Sequence, residues 1–111
     1  MEQLFQLYKT NCKSGNEVEI RSLIKDMLAD VELDIQVDFI GNLYITKGKA
    51  DCYPCIAAHI DEIHTPCQRT IIEAGGVIIA VNENGEQVGT GADDKNGIWI
   101  AIQLLHRIEN L

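Results

Sequence analysis

The chain predicts an α/β fold: a mixed sheet that contains one β-hairpin and is covered by helices. Apolar residues recur at helical spacing near both ends, a period-two stretch sits between them, and an Asn-Gly pair separates two short apolar runs. The first helix is expected from Glu2 to about Thr10. SGNEVEIRSLIKDMLAD then offers overlapping capping signals, Ser14 with Glu17 and Asn16 with Glu19. Val18, Ile20, Leu23, Ile24, Met27 and Leu28 follow at helical spacing, so Glu17 to Ala29 is expected to bury one face.

From Glu32 the period changes to two. Leu33, Ile35, Val37 and Phe39 alternate with Glu32, Asp34, Gln36 and Asp38, as in a half-buried strand with one solvated acidic face. Gly41-Asn42 turns the chain into a second strand, LYITK. CIAAHI reads as a third strand, apolar on both faces and therefore central. VIIAVN and EQVGT flank Glu83-Asn84-Gly85 and form the expected hairpin. The last helix is expected to begin near Gly97, with Ile98, Ala101, Ile102, Leu105 and Ile108 on its apolar stripe.

The totals narrow the function classes. At 111 residues and 46% apolar content, one domain over 1–111 with an ordinary core is expected, and no linker or repeat divides it. Nine Lys and Arg against 17 Asp and Glu give a net charge of -8. That balance argues against nucleic acid and against an anionic membrane surface as partners. MEQLFQLYKT lacks the basic start and apolar middle of a secretion signal, so a cytoplasmic location is expected. The four cysteines, Cys12, Cys52, Cys55 and Cys67, are then expected as reduced thiols.

Two clusters carry the chemistry. If CIAAHI is a strand, His59 and Asp61 leave the same side of the pleat at its C-terminal end, where open α/β sheets bind ligands. A histidine there can ligate zinc through one ring nitrogen while a carboxylate accepts from the other. Taken alone, His-x-Asp reads as a hydrogen-bonded structural pair. The second cluster, GTGADDKNG at 89 to 97, sets adjacent aspartates in a glycine-rich loop before a helix, and its plain reading is that Asp93 or Asp94 caps that helix. If the two clusters meet in space, Asp61, Glu62, Asp93 and Asp94 concentrate negative charge that either raises its own pKa values or recruits a cation.

Together AAHIDEIH and GTGADDKNG, with SGNE at 14 to 17 and DFIGNLYITKG at 38 to 48, resemble the co-catalytic dinuclear zinc peptidases, the family of peptidase T, glutamate carboxypeptidase and acetylornithine deacetylase. The resemblance implies the partial three-layer core of a zinc-peptidase catalytic domain, two zinc ions in the complete site, and a peptide or N-acyl amino acid substrate. It implies that His59 ligates one zinc, that Asp61 orients this histidine and that Asp93 bridges the two metals. Zinc ions roughly 3.5–4 Å apart can share a water, acidify it and polarise a peptide carbonyl.

The same family also requires a Glu-Glu pair beyond the bridging aspartate, a further acidic ligand and a late histidine, none of which has a counterpart up to Leu111. The chain is therefore expected to be the N-terminal portion of such a domain. Two protein ligands do not close a tetrahedral zinc site, so weak zinc binding and little or no hydrolysis by the chain alone are expected. An uncovered sheet surface would favour a homodimer. The competing reading is a non-catalytic interaction or regulatory domain on a peptidase-like scaffold. A third places metal or redox chemistry on Cys52 and Cys55, against which stand the absence of a second Cys pair and of a helix after the motif. His64 and Glu62 are read as exposed or locally bonded, and His106 and Trp99 as surface residues off the last apolar stripe.

Overall fold

The computed structural model describes residues 2–64 and 66–111. Its elements run α1 (Glu2–Lys9), α2 (Val18–Met27), β1 (Asp34–Val37), β2 (Leu43–Thr46), β3 (Thr70–Ala74), β4 (Val77–Val81), β5 (Gln87–Val88) and α3 (Ala92–Arg107). Leu7 of α1, Ile20, Ile24 and Met27 of α2, and Ile98, Ile102 and Leu105 of α3 close on one another in the core. Cys12 and Leu28 complete that core, and Leu43, Ile45, Ala58 and Ile60 pack against it. The helical spacing seen in the sequence therefore becomes a three-helix contact, with β2 and the segment before Asp61 laid on it.

The strands form two separate antiparallel sheets, β1-β2 and β3-β4-β5, rather than the single mixed sheet expected. CIAAHI is the reason for the difference. Residues 53 to 61 carry no ladder, and Cys55, Ile56 and Ala57 are exposed. A central strand needs a backbone partner on each edge, and among the described residues no strand pairs with this segment. Its C-terminal end is held by one parallel bridge, in which Glu62 N–H donates to Cys12 O at 2.8 Å.

Thr70–Ala74 is a strand that the sequence reading passed over. It pairs with β4 from Thr70↔Val81 to Ala74↔Val77, leaving Gly75 and Gly76 as the two loop residues. Both have positive φ, 60° and 81°. That is the requirement of the tight hairpin turn whose twist matches its strands, and Gly-Gly meets it without steric cost. The Asn-Gly hairpin forms as expected between β4 and β5.

Phe39 was expected on the buried side of the first strand and is instead 99% exposed. Asp38 Oδ1 accepts the backbone N–H groups of Ile40, Gly41 and Asn42 at 3.0, 2.9 and 2.8 Å. The side chain thus substitutes for a strand neighbour, ends β1 at Val37 and swings Phe39 out of the pleat. These bonds to the ionised form, led by the one from the Asn42 side chain, hold the Asp38 carboxyl below the usual range. The caps expected from Ser14 and Asn16 are not used. Glu17 occupies the N-cap position of α2 without a side-chain cap, and its carboxylate accepts from Gly15 N–H instead.

Candidate functional site

His59 stands near the end of the segment that runs across the core, and Asp93 in the loop that opens α3. The Gly91 backbone is left-handed, φ 76°, and the chain at Asp93 and Asp94 is non-helical, so the regular helix starts only after them. The two aspartates divide the work that the sequence left undecided between them. Asp94 Oδ1 accepts Gly97 N–H at 3.2 Å and caps the helix, in a spot so tight that a Cβ on Gly97 would lie 2.5 Å from that oxygen. Asp93 is left free, 93% exposed, and turns to His59.

The imidazole is held on both nitrogens. Its Nδ1 lies 3.0 Å from Asp61 O and 3.3 Å from Asp61 Oδ1, while Nε2 lies 2.8 Å from Asp93 Oδ1. With acceptors at both positions the doubly protonated ring is favoured. The Asp93 hydrogen bond, with smaller help from Asp61, raises the His59 pKa above the ordinary histidine value. The structure therefore brings His59, Asp61 and Asp93 together on one solvent-facing spot.

The donor chemistry fits half of a zinc position. Asp61 fixes the ring so that Nε2 points at a carboxylate, and a zinc ion accepts nitrogen and oxygen donors of this kind. The proton shared by His59 and Asp93 would give way to the metal. Among the described residues no group of three or more His, Cys, Asp or Glu side chains is gathered to hold a metal. Cys52 and Cys55 are free and exposed.

The residue after Asp61 belongs to a feature that the sequence did not announce. Glu62, assigned to solvent or local bonding, is buried, with its side chain 2% exposed. Its carboxylate lies 3.0 Å from Arg69 Nη2 and 3.2 Å from Lys95 Nζ, both on side chains only 1% exposed. Arg69 donates on to Gly89 O at 2.9 Å and to Thr10 O at 3.1 Å, and Lys95 also donates to Thr10 O. Gly91 makes the arrangement fit: a Cβ there would lie 2.0 Å from Glu62 Oε2. Burial lowers the Lys95 pKa, and burial raises that of the neighbouring Cys12 thiol. The cluster ties α1, the Glu62 strap, the start of β3 and the Asp93 loop into one frame.

Trp99, read as a surface residue, packs against the core, and its buried Nε1 has no hydrogen-bond partner among the described residues. His106 is exposed and lies 3.2 Å from Asp30 Oδ1.

A putative aminopeptidase from Acetivibrio thermocellus is 30% identical to this chain over 102 residues, which take in 88% of the chain and 30% of the relative. The similarity is to a peptidase. The chain spans less than a third of the length of that curated relative. No protein-family model matches the chain, and no solved structure matches it. No helix among the described residues is long and apolar enough to cross a membrane.

Proposed function

We propose that the chain is the N-terminal portion of the catalytic domain of a dinuclear zinc aminopeptidase or related amide hydrolase, acting on peptide or N-acyl amino acid substrates. The observation that carries this reading is the 2.8 Å approach of His59 Nε2 to Asp93 Oδ1 across 34 positions of sequence. The peptidase similarity supports the reaction class. His59 would offer Nε2 to one metal, Asp61 would keep the ring in that orientation through Nδ1, and the exposed Asp93 carboxylate has an oxygen for each of two metals. Zinc, when bound, would supply Lewis-acid polarisation of the scissile carbonyl and an acidified water. The buried Glu62–Arg69–Lys95 frame holds the Asp93 loop against the His59 strap, so that the two donors need little rearrangement on binding.

Isothermal titration of the chain with zinc tests the reading. Weak uptake that is lost in both His59→Ala and Asp93→Ala, while circular dichroism stays native, is the expected result. Uptake unchanged in both variants would overturn it.

A further inference from the structure

A cavity of about 280 Å³ is lined by His64, Cys67, Arg69, Val88 and Gly89. None of these residues belongs to the His59, Asp61 and Asp93 group. They come from the segment that leads from Glu62 into β3, and from β5 and the residue after it. A single water needs roughly 10–15 Å³ of such space, so the cavity has room for a molecule of several heavy atoms.

Arg69 gives the cavity its chemistry. Its side chain is 1% exposed. Nη1 donates to Gly89 O, and Nη2 serves Thr10 O and the Glu62 carboxylate. Nε is buried and has no hydrogen-bond partner among the described residues. Since both terminal nitrogens are turned to protein acceptors, the Nε–H edge is the donor left to serve the cavity. A buried N–H without an acceptor is costly, and native proteins keep few of them.

His64 adds a second such atom. Its Nδ1 is buried with no hydrogen-bond partner among the described residues, and at 3.9 Å from Glu62 Oε2 it is too far for a direct bond. The far edge of the ring stands over Gly89, where a Cβ would collide with Nε2. Glycine there leaves room for the imidazole. With its proton on Nδ1, His64 joins Arg69 in presenting a donor.

Charge points the same way. Two buried cations, Arg69 and Lys95, share the single Glu62 carboxylate, which leaves one positive charge in excess within the frame. The rest of the lining, Val88, Gly89 and the free Cys67 thiol, is apolar or weakly polar. Apolar walls with a few convergent polar groups are the ordinary make-up of a small-molecule site.

We propose that this cavity binds a small monocarboxylate with a short apolar tail. The carboxylate accepts from Arg69 Nε and His64 Nδ1, and the tail lies against Val88 and Cys67. A dianion such as phosphate is the poorer ligand, because Glu62 stands beside both donors and only one positive charge is in excess. The site is separate from the zinc reading and does not rest on it.

The test is an NMR titration of the metal-free chain in which sodium propionate replaces sodium chloride at constant ionic strength and pH. Saturable shifts at the amides of Cys67, Val88 and Gly89 are expected. Propionamide, the neutral isostere, should bind about tenfold more weakly or worse, as losing a hydrogen bond between charged partners implies. Val88→Phe fills the cavity from β5 and leaves Arg69 and its partners in place. It should weaken propionate binding by about tenfold or more while circular dichroism stays native. Arg69→Lys keeps the charge, removes the Nε–H edge and should weaken binding in the same way; if it does not fold, Val88→Phe decides alone. Equal binding of propionate and propionamide, or propionate binding unchanged in Val88→Phe, would overturn the proposal. So would shifts that never saturate, or shifts confined to His59, whose imidazole is exposed. No metal is present, so none of these outcomes bears on zinc uptake by His59 and Asp93.

Discussion

His59 and Asp93 meet at 2.8 Å through a ring nitrogen that Asp61 holds from behind. An ion pair this exposed adds little to folding, since solvent screens it. On the proposed reading its significance is chemical, because a cation shared by the two groups would displace the proton between them.

The two adjacent aspartates are expected to separate cleanly in mutation. Asp94→Ala removes a helix cap and should cost about 0.5–2 kcal/mol in urea unfolding, with zinc uptake retained. Asp93→Ala should leave the unfolding midpoint almost unchanged and abolish zinc uptake. Titration calorimetry beside denaturation curves checks both.

Asp61→Asn keeps the shape and weakens the hold on His59 Nδ1. The Asp61 backbone carbonyl, 3.0 Å from Nδ1, stays in place, so metal affinity should fall towards the lower end of the roughly 10–100-fold lost with a whole supporting partner. Competition with a chelator of known affinity measures the change, and the His59 ring signals in the NMR spectrum report whether its orientation persists.

The pH dependence has a definite sign. Asp93 raises the His59 pKa in the folded chain. The stabilisation from that pair is therefore present below the unfolded histidine value, about 6.5, while Asp93 stays ionised, and is lost as pH rises through the folded value. Zinc needs the neutral ring, so its uptake should rise with pH through that same elevated folded value. In Asp93→Asn the imidazole titration, followed by NMR, should move back down towards the ordinary value.

Glu62→Gln leaves Arg69 and Lys95 buried without their shared counter-charge. Breaking a buried pair in this way costs about 3–5 kcal/mol, a large part of a small domain's stability. A marked fall in the denaturation midpoint is expected. Gly91→Ala should also destabilise, because its Cβ would collide with the same carboxylate in a backbone conformation that side chains rarely adopt.

Periodicity made the helices and the first hairpin strand legible, since each buries one face of a regular pattern. It failed at CIAAHI, where composition describes the neighbours a segment is suited to and says nothing of whether they are beside it. It failed again at Phe39, because a three-fold acceptor at Asp38 outweighs alternation. The strand at Thr70–Ala74 could have been found from Gly75-Gly76, a turn signal as direct as Asn-Gly. The convergence of His59, Asp61 and Asp93 was implied by the resemblance to zinc peptidases, whereas the burial of Glu62 was not. A lone glutamate beside two histidines carries no mark of the arginine and lysine that will enclose it.

The buried charges also bear on how the molecule forms. Thr10 and Lys95 are 85 positions apart, and Thr10 and Arg69 are 59 apart. Closing such long spans is entropically slow, whereas the hairpins and α2 need only local contacts. The charges should therefore lock late in refolding, after hydrophobic collapse, and Glu62→Gln should accelerate unfolding far more than it slows folding in stopped-flow kinetics.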